Sequence, residues 1–296
     1  MRDQNQHTIS VIGAGKVGST LAVMLHRSGY RIVSVVSKNK KSVRKLANIV
    51  GCKKYSDSLS AIHPATRIIL LAVPEEAVPG IAEEIASRSH LHFKQLAVFH
   101  TSGLLTSDAL LPLHRKGAMV FSLHPIQSFP KGLTLDHQLA RMKQVAYGFE
   151  GIKAALPLAR QLVKAVDGKL VQIPKEEKIL YHIACVIASN YSIALLGAVE
   201  KLAKQIGGGI RLSHFKPLVM TSMENAFRLT PDRALTGPIV RGSVETIEMH
   251  MRELRKSDRS LMAVYRQNGL QALNMAVLRK SLKPNVARQI QQILES

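Results

Sequence analysis

The sequence predicts an α/β protein, in which an N-terminal doubly wound sheet is followed by an all-α C-terminal domain. Three observations support this prediction. A buried strand near the N-terminus runs directly into a glycine-rich turn and a helix. Strands and helices then alternate as far as residue 173, and from residue 175 onward only helical periodicity is found. Such alternation is typical of parallel sheets covered by helices on both faces.

The first strand and the turn after it form the most specific local pattern. Residues 8–12 are β-prone and end in an apolar run, and the pattern Gly13-x-Gly15-x-x-Gly18 follows. The first glycine permits the tight turn, the second lets backbone approach a pyrophosphate, and the third lets the helix pack close to the strand. The helix start offers N–H groups to phosphate. We predict dinucleotide binding by Gly13, Ala14, Gly15, Lys16, Val17 and Gly18.

The end of the second strand, residues 31–36, indicates which dinucleotide binds. NAD enzymes place an acid about twenty residues beyond the glycine motif, where it holds the ribose 2′-hydroxyl. Here Ser37 and Lys38 are followed by Asn39 and two lysines, with no carboxylate. Hydroxyl and ammonium groups suit a 2′-phosphate, so we predict NADPH as the cofactor. The alternative interpretation is a solvated basic loop.

Composition bounds the class of protein. The chain has 296 residues, of which 46% are hydrophobic, and a formal net charge of +21. Such a charge can indicate nucleic-acid binding. The basic residues are spread along the whole chain, however, only 4% of residues are aromatic, and there is no tryptophan for base stacking. We therefore expect no nucleic-acid partner and attribute the charge to a general basic bias.

The N-terminus and the apolar segments indicate the compartment. Residues 1–7 are polar and do not resemble a signal peptide. Residues 183–199 are apolar but short and interrupted by Ser and Asn, so we interpret them as a buried helix and expect no membrane partner. Cys52 and Cys185 form neither a disulfide framework nor a metal-binding pattern. A cytoplasmic enzyme without a metal is the expectation.

The order of elements places a domain boundary near Pro174. Before it, strands are predicted at 66–73, 95–99, 119–123, 145–149 and 169–173, with helices at 78–86 and about 154–166. After it, helices are predicted at 179–206, 214–228, 244–256, 257–268 and 285–294, the first ending at three glycines. We predict a dinucleotide-binding domain over 1–174 and a helical substrate and dimerisation domain over 175–296.

The carboxyl ends of the predicted strands supply a first set of candidate site residues. Ligands of open α/β sheets bind at these ends. Ala72, Val73 and Pro74 are expected to cover the cofactor ribose, while Ser102 and His124 are expected to reach the substrate. A purely structural hydrogen bond is the alternative for a single histidine at a strand end.

The long predicted helix supplies a second set. Lys178, His182, Cys185 and Ser189 are spaced by four, three and four residues, so they share one helical face, and Asn190 lies toward its edge. A lysine or histidine beside a nicotinamide can donate a proton to a developing alkoxide or amine. The alternative is a polar network satisfied within the core.

A third candidate region spans residues 234–243. Two glycines, a proline and Arg241 precede a helix that Ser243 is expected to cap. An arginine held in such a loop can pair bidentately with a carboxylate. Thr236 belongs to the same loop, and Asn225 on the preceding helix could add an amide. An ordinary helix connection with a solvated arginine is the alternative.

Taken in order, these motifs resemble a known family. The residues that carry the resemblance are Gly13-x-Gly15-x-x-Gly18, His100-x-Ser102-Gly103, His124-Pro125, Tyr181-His182, Ser189-Asn190, Asn225 and Ala234-Leu235-Thr236-Gly237-Pro238-x-x-Arg241-Gly242. They resemble the Rossmann-like oxidoreductases with a helical C-terminal domain of formerly unknown function, relatives of pyrroline-5-carboxylate reductase and the deazaflavin-dependent NADP reductases. One branch resembles the PanG-type ketopantoate reductases of pantothenate biosynthesis.

The resemblance implies NADPH-dependent reduction of a 2-oxo acid, with ketopantoate giving pantoate. Lys178 or His182 would donate the proton, and Arg241 would hold the substrate carboxylate. The other implied roles are orientation of the substrate by Ser189 and Asn190, and homodimer formation through the helical domain. Ser243 departs from the family, which often has Asp there. The alternatives are an imine reductase of the pyrroline-5-carboxylate type and a noncatalytic NADP-binding protein.

Overall fold

The computed structural model describes residues 8–256 and 258–296. By its internal contacts the chain divides into two compact units after Ala188. The division lies later than the change in composition at Pro174, because Lys178 and Tyr181 make hydrogen bonds to the sheet. The first unit contains the sheet, and the second is helical.

The sheet has eight strands in the order β3-β2-β1-β4-β5-β6-β7-β8. The strands are β1 (Thr8–Ile12), β2 (Arg31–Val36), β3 (Tyr55–Ser56), β4 (Ile68–Leu71), β5 (Ala97–His100), β6 (Met119–Pro125), β7 (Ala146–Gly151) and β8 (Lys169–Gln172). All neighbouring strands are parallel except β6 and β7. The chain reverses its winding direction beside β1, and the crevice between β1 and β4 is where such sheets bind ligands.

Helices cover both faces of this sheet, each face with its own hydrophobic cluster. They are α1 (Lys16–Arg27), α2 (Lys40–Ile49), α3 (Val78–Ala86), α4 (Leu111–Arg115), α5 (Leu135–Ala140), α6 (Leu156–Ala165) and α7 (Lys178–Val186). With the helical second unit, this architecture confirms the predicted fold class.

One alternative and one expectation for the sheet unit are corrected. The residues after Ser37 and Lys38 do not form an open loop, because Asn39 caps α2 by accepting a 2.9 Å hydrogen bond from the Ser42 N–H. His124 does not follow its strand but lies within β6, because the strand continues to pair with β7 as far as Pro125.

The helix after Pro174 is interrupted where the sequence predicted a continuous stripe. A π-helical segment, Ile187–Tyr191, separates α7 from α8 (Ser192–Ile206). A π turn takes up one residue more than an α turn, and such segments frequently mark functional sites. The spacing from Lys178 to Cys185 therefore does not continue unchanged to Ser189, which lies with Asn190 inside the π segment.

The second unit is a set of helices with a small core. After α8 come α9 (Lys216–Leu229), α10 (Pro231–Ala234), α11 (Pro238–Arg241), α12 (Val244–Arg255), α13 (Arg259–Leu278) and α14 (Pro284–Glu295). Ile247, Ile290 and Leu294 are buried in its core. Arg241 ends a short helix instead of lying in an open loop. Ser243 occupies the N-cap position of α12, but its side chain makes no capping hydrogen bond.

The apolar helix is exposed, contrary to the expectation of a buried one. Among the described residues, one helix, Lys175–Ile206, is long and apolar enough to cross a membrane by length and composition alone, with a mean hydropathy of 1.7. None of its most apolar window is buried. Ile179, Leu180 and Ile193 are each more than 60% exposed, because the rest of the described chain does not cover them.

The glycine turn shows why two of its glycines are required by packing. Gly13 has a φ of +100°, and a Cβ there would lie 2.1 Å from the Ala72 carbonyl oxygen. A Cβ on Gly18 would lie 1.9 Å from the Gly13 carbonyl oxygen. In contrast, a Cβ on Gly15 would meet nothing within 4 Å. Gly13 and Gly18 therefore permit close contacts between backbone atoms around the turn, whereas the space beside Gly15 is open.

This difference makes a prediction for stability. Gly18→Ala should lower the free energy of unfolding by about 1–3 kcal/mol, because the turn backbone must move to admit the methyl group. Gly15→Ala should leave the unfolding midpoint of the unliganded protein almost unchanged. Denaturant titration of both variants measures the effect, and equal stabilities would contradict the packing argument.

Candidate active site

The glycine turn and its neighbours fit a dinucleotide. Helix α1 begins directly after Gly15, whose position carries no side-chain cap, so the start of the helix faces the space that Gly15 leaves. Val73 approaches the turn from the end of β4, where a Cβ on Gly13 would lie 3.1 Å from it. At the end of β2, Ser37 is half-buried and Lys38 is exposed. Binding of a dinucleotide by these residues stays a prediction.

Lys16 differs from the other residues of the motif in having a distant partner. Its Nζ donates a 2.6 Å hydrogen bond to the carbonyl oxygen of Leu133, which lies just before α5. Thr20, one turn further along α1, donates to the side chain of the buried Gln138 at 3.1 Å. The segment around α5 is therefore tied to the helix that begins at the glycine motif.

His100 and Ser102 organise the loop after β5. The Ser102 N–H donates to Nδ1 of His100 at 3.3 Å, so Nε2 carries the proton of the neutral ring and donates to the Thr106 carbonyl at 3.1 Å. Burial is the main cause that lowers the pKa of His100 to about 4. His100 is thus a neutral residue that shapes the loop.

The hydroxyl of Ser102 links two strand ends. It accepts hydrogen bonds from the N–H groups of Leu104 and Leu105, at 3.1 and 2.9 Å, and donates its proton to the carboxylate of Glu75. Glu75 follows the Ala72–Pro74 segment beside the glycine turn. Ser102, predicted to contact substrate, therefore connects the end of β4 with the end of β5.

Lys178 is unusual in the sheet unit because it is a buried lysine. Its side chain is completely buried at the start of α7, and its Nζ donates a 2.8 Å hydrogen bond to Ser122 Oγ on β6. The Ser122 hydroxyl in turn donates to the Ser102 carbonyl at 3.2 Å. The ammonium also lies 5.5 Å from the centre of the Tyr181 ring, within cation–π range.

Burial and neighbouring carboxylates act on Lys178 in opposite directions. Burial lowers the pKa of Lys178 to about 8, while Glu150 and Glu75 favour its charged form. Glu150 is itself buried, and its carboxylate accepts hydrogen bonds from the N–H and hydroxyl of Ser107 at 2.6 and 2.8 Å. Near neutral pH Lys178 is therefore a protonated group that gives up its proton more readily than an ordinary lysine.

His124 faces Tyr181 and His182. Its Nδ1 lies 2.6 Å from the Tyr181 hydroxyl, and the two rings meet edge to face. A Cβ on Gly103 would lie 3.1 Å from His124 Nε2 and 3.0 Å from His182 Cδ2, so both imidazoles border this glycine. Burial, followed by the charges of Lys178 and His182, lowers the pKa of His124 to about 4.

The β6–β7 ladder assembles these partners. Ser122 pairs with Glu150, and two residues further along the ladder His124 pairs with Gly148. Side chains two residues apart on a strand share a face, as do directly opposed residues. One face of this strand pair therefore carries Ser122 and Glu150, which are the hydrogen-bond partner and a countercharge of Lys178. The same face carries His124 and Gly148, which both lie beside Tyr181.

The predicted site residues fall into two groups. Ser102, His124, Lys178 and His182 belong to one cluster in the sheet unit. Ser189, Asn190, Asn225, Thr236 and Arg241 belong to the helical unit, where all but Ser189 are exposed. The roles of both groups remain predictions.

The structure adds four residues that the sequence interpretation gave no role: Glu75, Ser122, Glu150 and Tyr181. Ser122 stands two residues before His124 and thus on the same strand face, a signal available in the sequence. The position of Glu150 depends on the antiparallel register of β7. That register is not visible without the fold.

Family models match both parts of the chain. Residues 2–125 match a Rossmann-like domain, and residues 145–272 match a domain of unknown function, DUF2520. The chain thus combines a Rossmann-like domain with a DUF2520 domain, in agreement with the coarser part of the resemblance. No curated protein matches the sequence.

Solved structures with the same architecture cover nearly the whole chain. A proposed NADP oxidoreductase from Bacteroides fragilis is 21% identical with a TM-score of 0.73, over 91% of this chain and 99% of its own. A protein from Thermotoga maritima is 24% identical with a TM-score of 0.71, over 92% and 99%. An imine reductase from Streptomyces aurantiacus is 14% identical with a TM-score of 0.66, over 93% and 100%. These similarities show the fold.

The buried ammonium predicts a pH dependence of stability. The pKa of Lys178 is about 8 in the folded chain against an ordinary 10.5. The unfolded chain therefore holds more protons between these values, and this residue's contribution to stability rises with pH across that window. Below pH 8 the cost of burying the charge is fully present.

Unfolding free energies of the wild type and Lys178→Met, compared from pH 7 to 10, measure this contribution. The wild type should gain stability relative to the variant as pH rises above about 8. The exposed Lys169→Met serves as control and should show no such trend. A wild-type advantage that stays constant with pH would contradict the burial of a charged Lys178.

Proposed function

We propose that this chain is an NADPH-dependent reductase of a small 2-oxo acid, with ketopantoate as the first candidate substrate and pantoate as product. The observation that carries the proposal is the buried, hydrogen-bonded ammonium of Lys178. It lies on the side of the sheet where the parallel strands end and where the glycine turn is also found. The Ser102–Glu75 hydrogen bond connects the two regions. The NADP oxidoreductase among the similar structures supports a nicotinamide cofactor.

The cluster suits the charge that develops during reduction of a carbonyl. Bound NADPH supplies a hydride to the carbonyl carbon, which leaves the oxygen negative. A positive or hydrogen-bonding group beside that oxygen stabilises the transition state. Lys178, with a pKa of about 8, is protonated at neutral pH and well matched to donate the final proton. His182 is the alternative donor, since it borders Gly103.

Further substrate contacts are proposed for the helical unit. Arg241 is exposed and holds a fork of donors suited to a carboxylate. Asn225 and Thr236 would bind the remaining polar atoms, and Ser189 and Asn190 would orient the reacting group. The π-helical segment supports a functional role for the last two, because such segments concentrate at functional sites.

A second candidate reaction is reduction of a cyclic imine such as pyrroline-5-carboxylate. The imine reductase from Streptomyces aurantiacus and a variant imine reductase from Myxococcus stipitatus have the same fold and favour this alternative. Both reactions need a hydride donor and a proton at the accepting heteroatom, so the same cluster serves either substrate.

We also propose a cytoplasmic homodimer that associates through the helical unit. Exposed apolar side chains support the association, since large exposed apolar patches mark interaction sites. They include Ile193 and Leu195 on α8 and Leu218, Met223 and Phe227 on α9, the last 92% exposed. Neither a nucleic acid nor a membrane is part of this proposal.

A substrate panel tests the proposed reaction. Purified protein with NADPH is offered ketopantoate, other branched 2-oxo acids and pyrroline-5-carboxylate, and NADPH consumption is followed by absorbance. Preferential turnover of ketopantoate supports the first candidate, and preferential turnover of the imine supports the second. Tight NADPH binding without turnover of any of these compounds would indicate a noncatalytic protein.

Cofactor preference gives one prediction. NADPH should bind at least tenfold more tightly than NADH, about 1.4 kcal/mol, because Ser37 and Lys38 suit a 2′-phosphate. Ser37→Asp should reduce or reverse this preference by placing a carboxylate against the phosphate. Calorimetric titration with both cofactors measures it, with the exposed Ser60→Asp as a control for net charge. Equal affinities in the wild type would refute the assignment.

The proposed contact between Arg241 and the substrate carboxylate gives another prediction. Arg241→Lys loses the bidentate fork and should raise KM for the keto acid roughly tenfold, about 1.4 kcal/mol, with NADPH affinity near normal. Steady-state kinetics provide the measurement, and Arg252→Lys on α12 is the matched exposed control. A KM equal to that of the control would assign Arg241 to the structure of the helical unit.

A further inference from the structure

The side chain of Tyr181 packs against the sheet beside Gly148 and His124. Tyr181 follows Lys178 by three residues on α7, so both side chains point to the same side of the helix. Its hydroxyl lies 2.6 Å from His124 Nδ1, with the ring centroids 5.7 Å apart at an angle of 84°. A Cβ on Gly148 would lie 2.6 Å from the hydroxyl oxygen. The phenol therefore occupies space that only a glycine at position 148 leaves free.

The Tyr181 hydroxyl is a suitable hydrogen-bond donor to His124. Burial, followed by interaction with Cys185, raises the pKa of Tyr181, so its hydroxyl stays protonated. At 2.6 Å from Nδ1 of His124, this hydroxyl is placed to donate its proton to the ring nitrogen. An imidazole that accepts at Nδ1 and is neutral carries its proton on Nε2. A phenol that donates to Nδ1 would thus select the Nε2–H tautomer of His124.

The Nε2 atom of His124 lies beside Gly103, since a Cβ on that glycine would be 3.1 Å from it. The same Cβ would lie 3.0 Å from His182 Cδ2, so the two imidazoles border one glycine. The charged and titratable groups that face His124 are Lys178, His182 and His100, and together with burial they disfavour an imidazolium. His124 therefore offers a neutral N–H at this point.

We propose that Tyr181 is a positioning residue that holds His124 in its Nε2–H tautomer, and that this N–H donates a hydrogen bond to the substrate atom left negative by the hydride. The proposal rests on the proposed function. As the substrate carbon accepts the hydride, the carbonyl electron pair moves onto oxygen. The neutral N–H stabilises that charge and keeps its own proton, while the proton that completes the alcohol comes from Lys178.

Nitrogen NMR of the whole protein tests the tautomer without any substrate. In protein labelled with ¹⁵N-histidine, the signals of His124 are identified by their loss in His124→Gln. At neutral pH we expect a single Nε2–H tautomer with Nδ1 shifted as a hydrogen-bond acceptor. In Tyr181→Phe, the Nδ1 signal should move toward the value of an unbonded ring nitrogen, and the two tautomers should mix.

The chain contains a matched control pair. His250 Nδ1 lies 2.8 Å from the Tyr265 hydroxyl, and these rings also meet edge to face at 5.7 Å and 86°. Both residues belong to the helical unit and have no part in the proposed site. Tyr265→Phe should change the His250 signals in the same way and leave turnover of the panel substrates unchanged.

Kinetics test the contact with substrate. Tyr181→Phe should lower kcat for the best panel substrate roughly tenfold with NADPH affinity unchanged, since a misplaced donor loses part of its effect in the transition state. An Nδ1–H tautomer in the wild type, an unmoved Nδ1 signal in Tyr181→Phe, or an unchanged kcat would overturn the proposal. A wild type that reduces no panel compound would refute the proposed function, while the nitrogen spectra would still decide whether Tyr181 sets the tautomer.

Discussion

The site depends on one constraint, the burial of a lysine ammonium under the first turn of α7. A buried charge is tolerated only with partners, and Lys178 has Ser122 as hydrogen-bond acceptor and Glu150 and Glu75 as countercharges. The partners are held in turn by Ser107 and Ser102. The loops after β4 and β5 and the strand pair β6–β7 thus take their positions around one charge. The same charge contributes to keeping His124 neutral, so the electrostatics of the cluster have a common origin.

Most of the fold could be predicted from local pattern. The glycine motif after β1, the helix Val78–Ala86 and the three glycines after Ile206 mark elements that the structure places as expected, because turn chemistry and periodicity act over a few residues. The short helices α4, α5, α10 and α11 were not predicted. They contain too few residues for a periodic signal. The π-helical segment was also missed, since periodicity does not reveal where one additional residue is taken up.

The candidate site could be predicted only in part, for a different reason. Lys178 and His182 were recognised by spacing on a helix, and Ser102 and His124 by their positions near strand ends. Glu150 and Tyr181 were not recognised as site residues, because their hydrogen-bond partners lie far away in sequence. The carboxylate reaches Ser107 across 43 positions and the phenol reaches His124 across 57. Contacts of this length follow from strand order and register, which a single sequence does not display.

The antiparallel register of β6 and β7 has a consequence for how this site can change. Ser122, His124, Gly148 and Glu150 share one face of one ladder, and a slip of the pairing by a single residue would turn a strand's side chains to the opposite face. A change in the pairing of β6 and β7 therefore cannot remove the residues of the cluster one at a time. The cluster exists in full with the native register and is lost with any other. Slow amide exchange along these two strands would therefore report at once on their pairing and on the integrity of the chemical site.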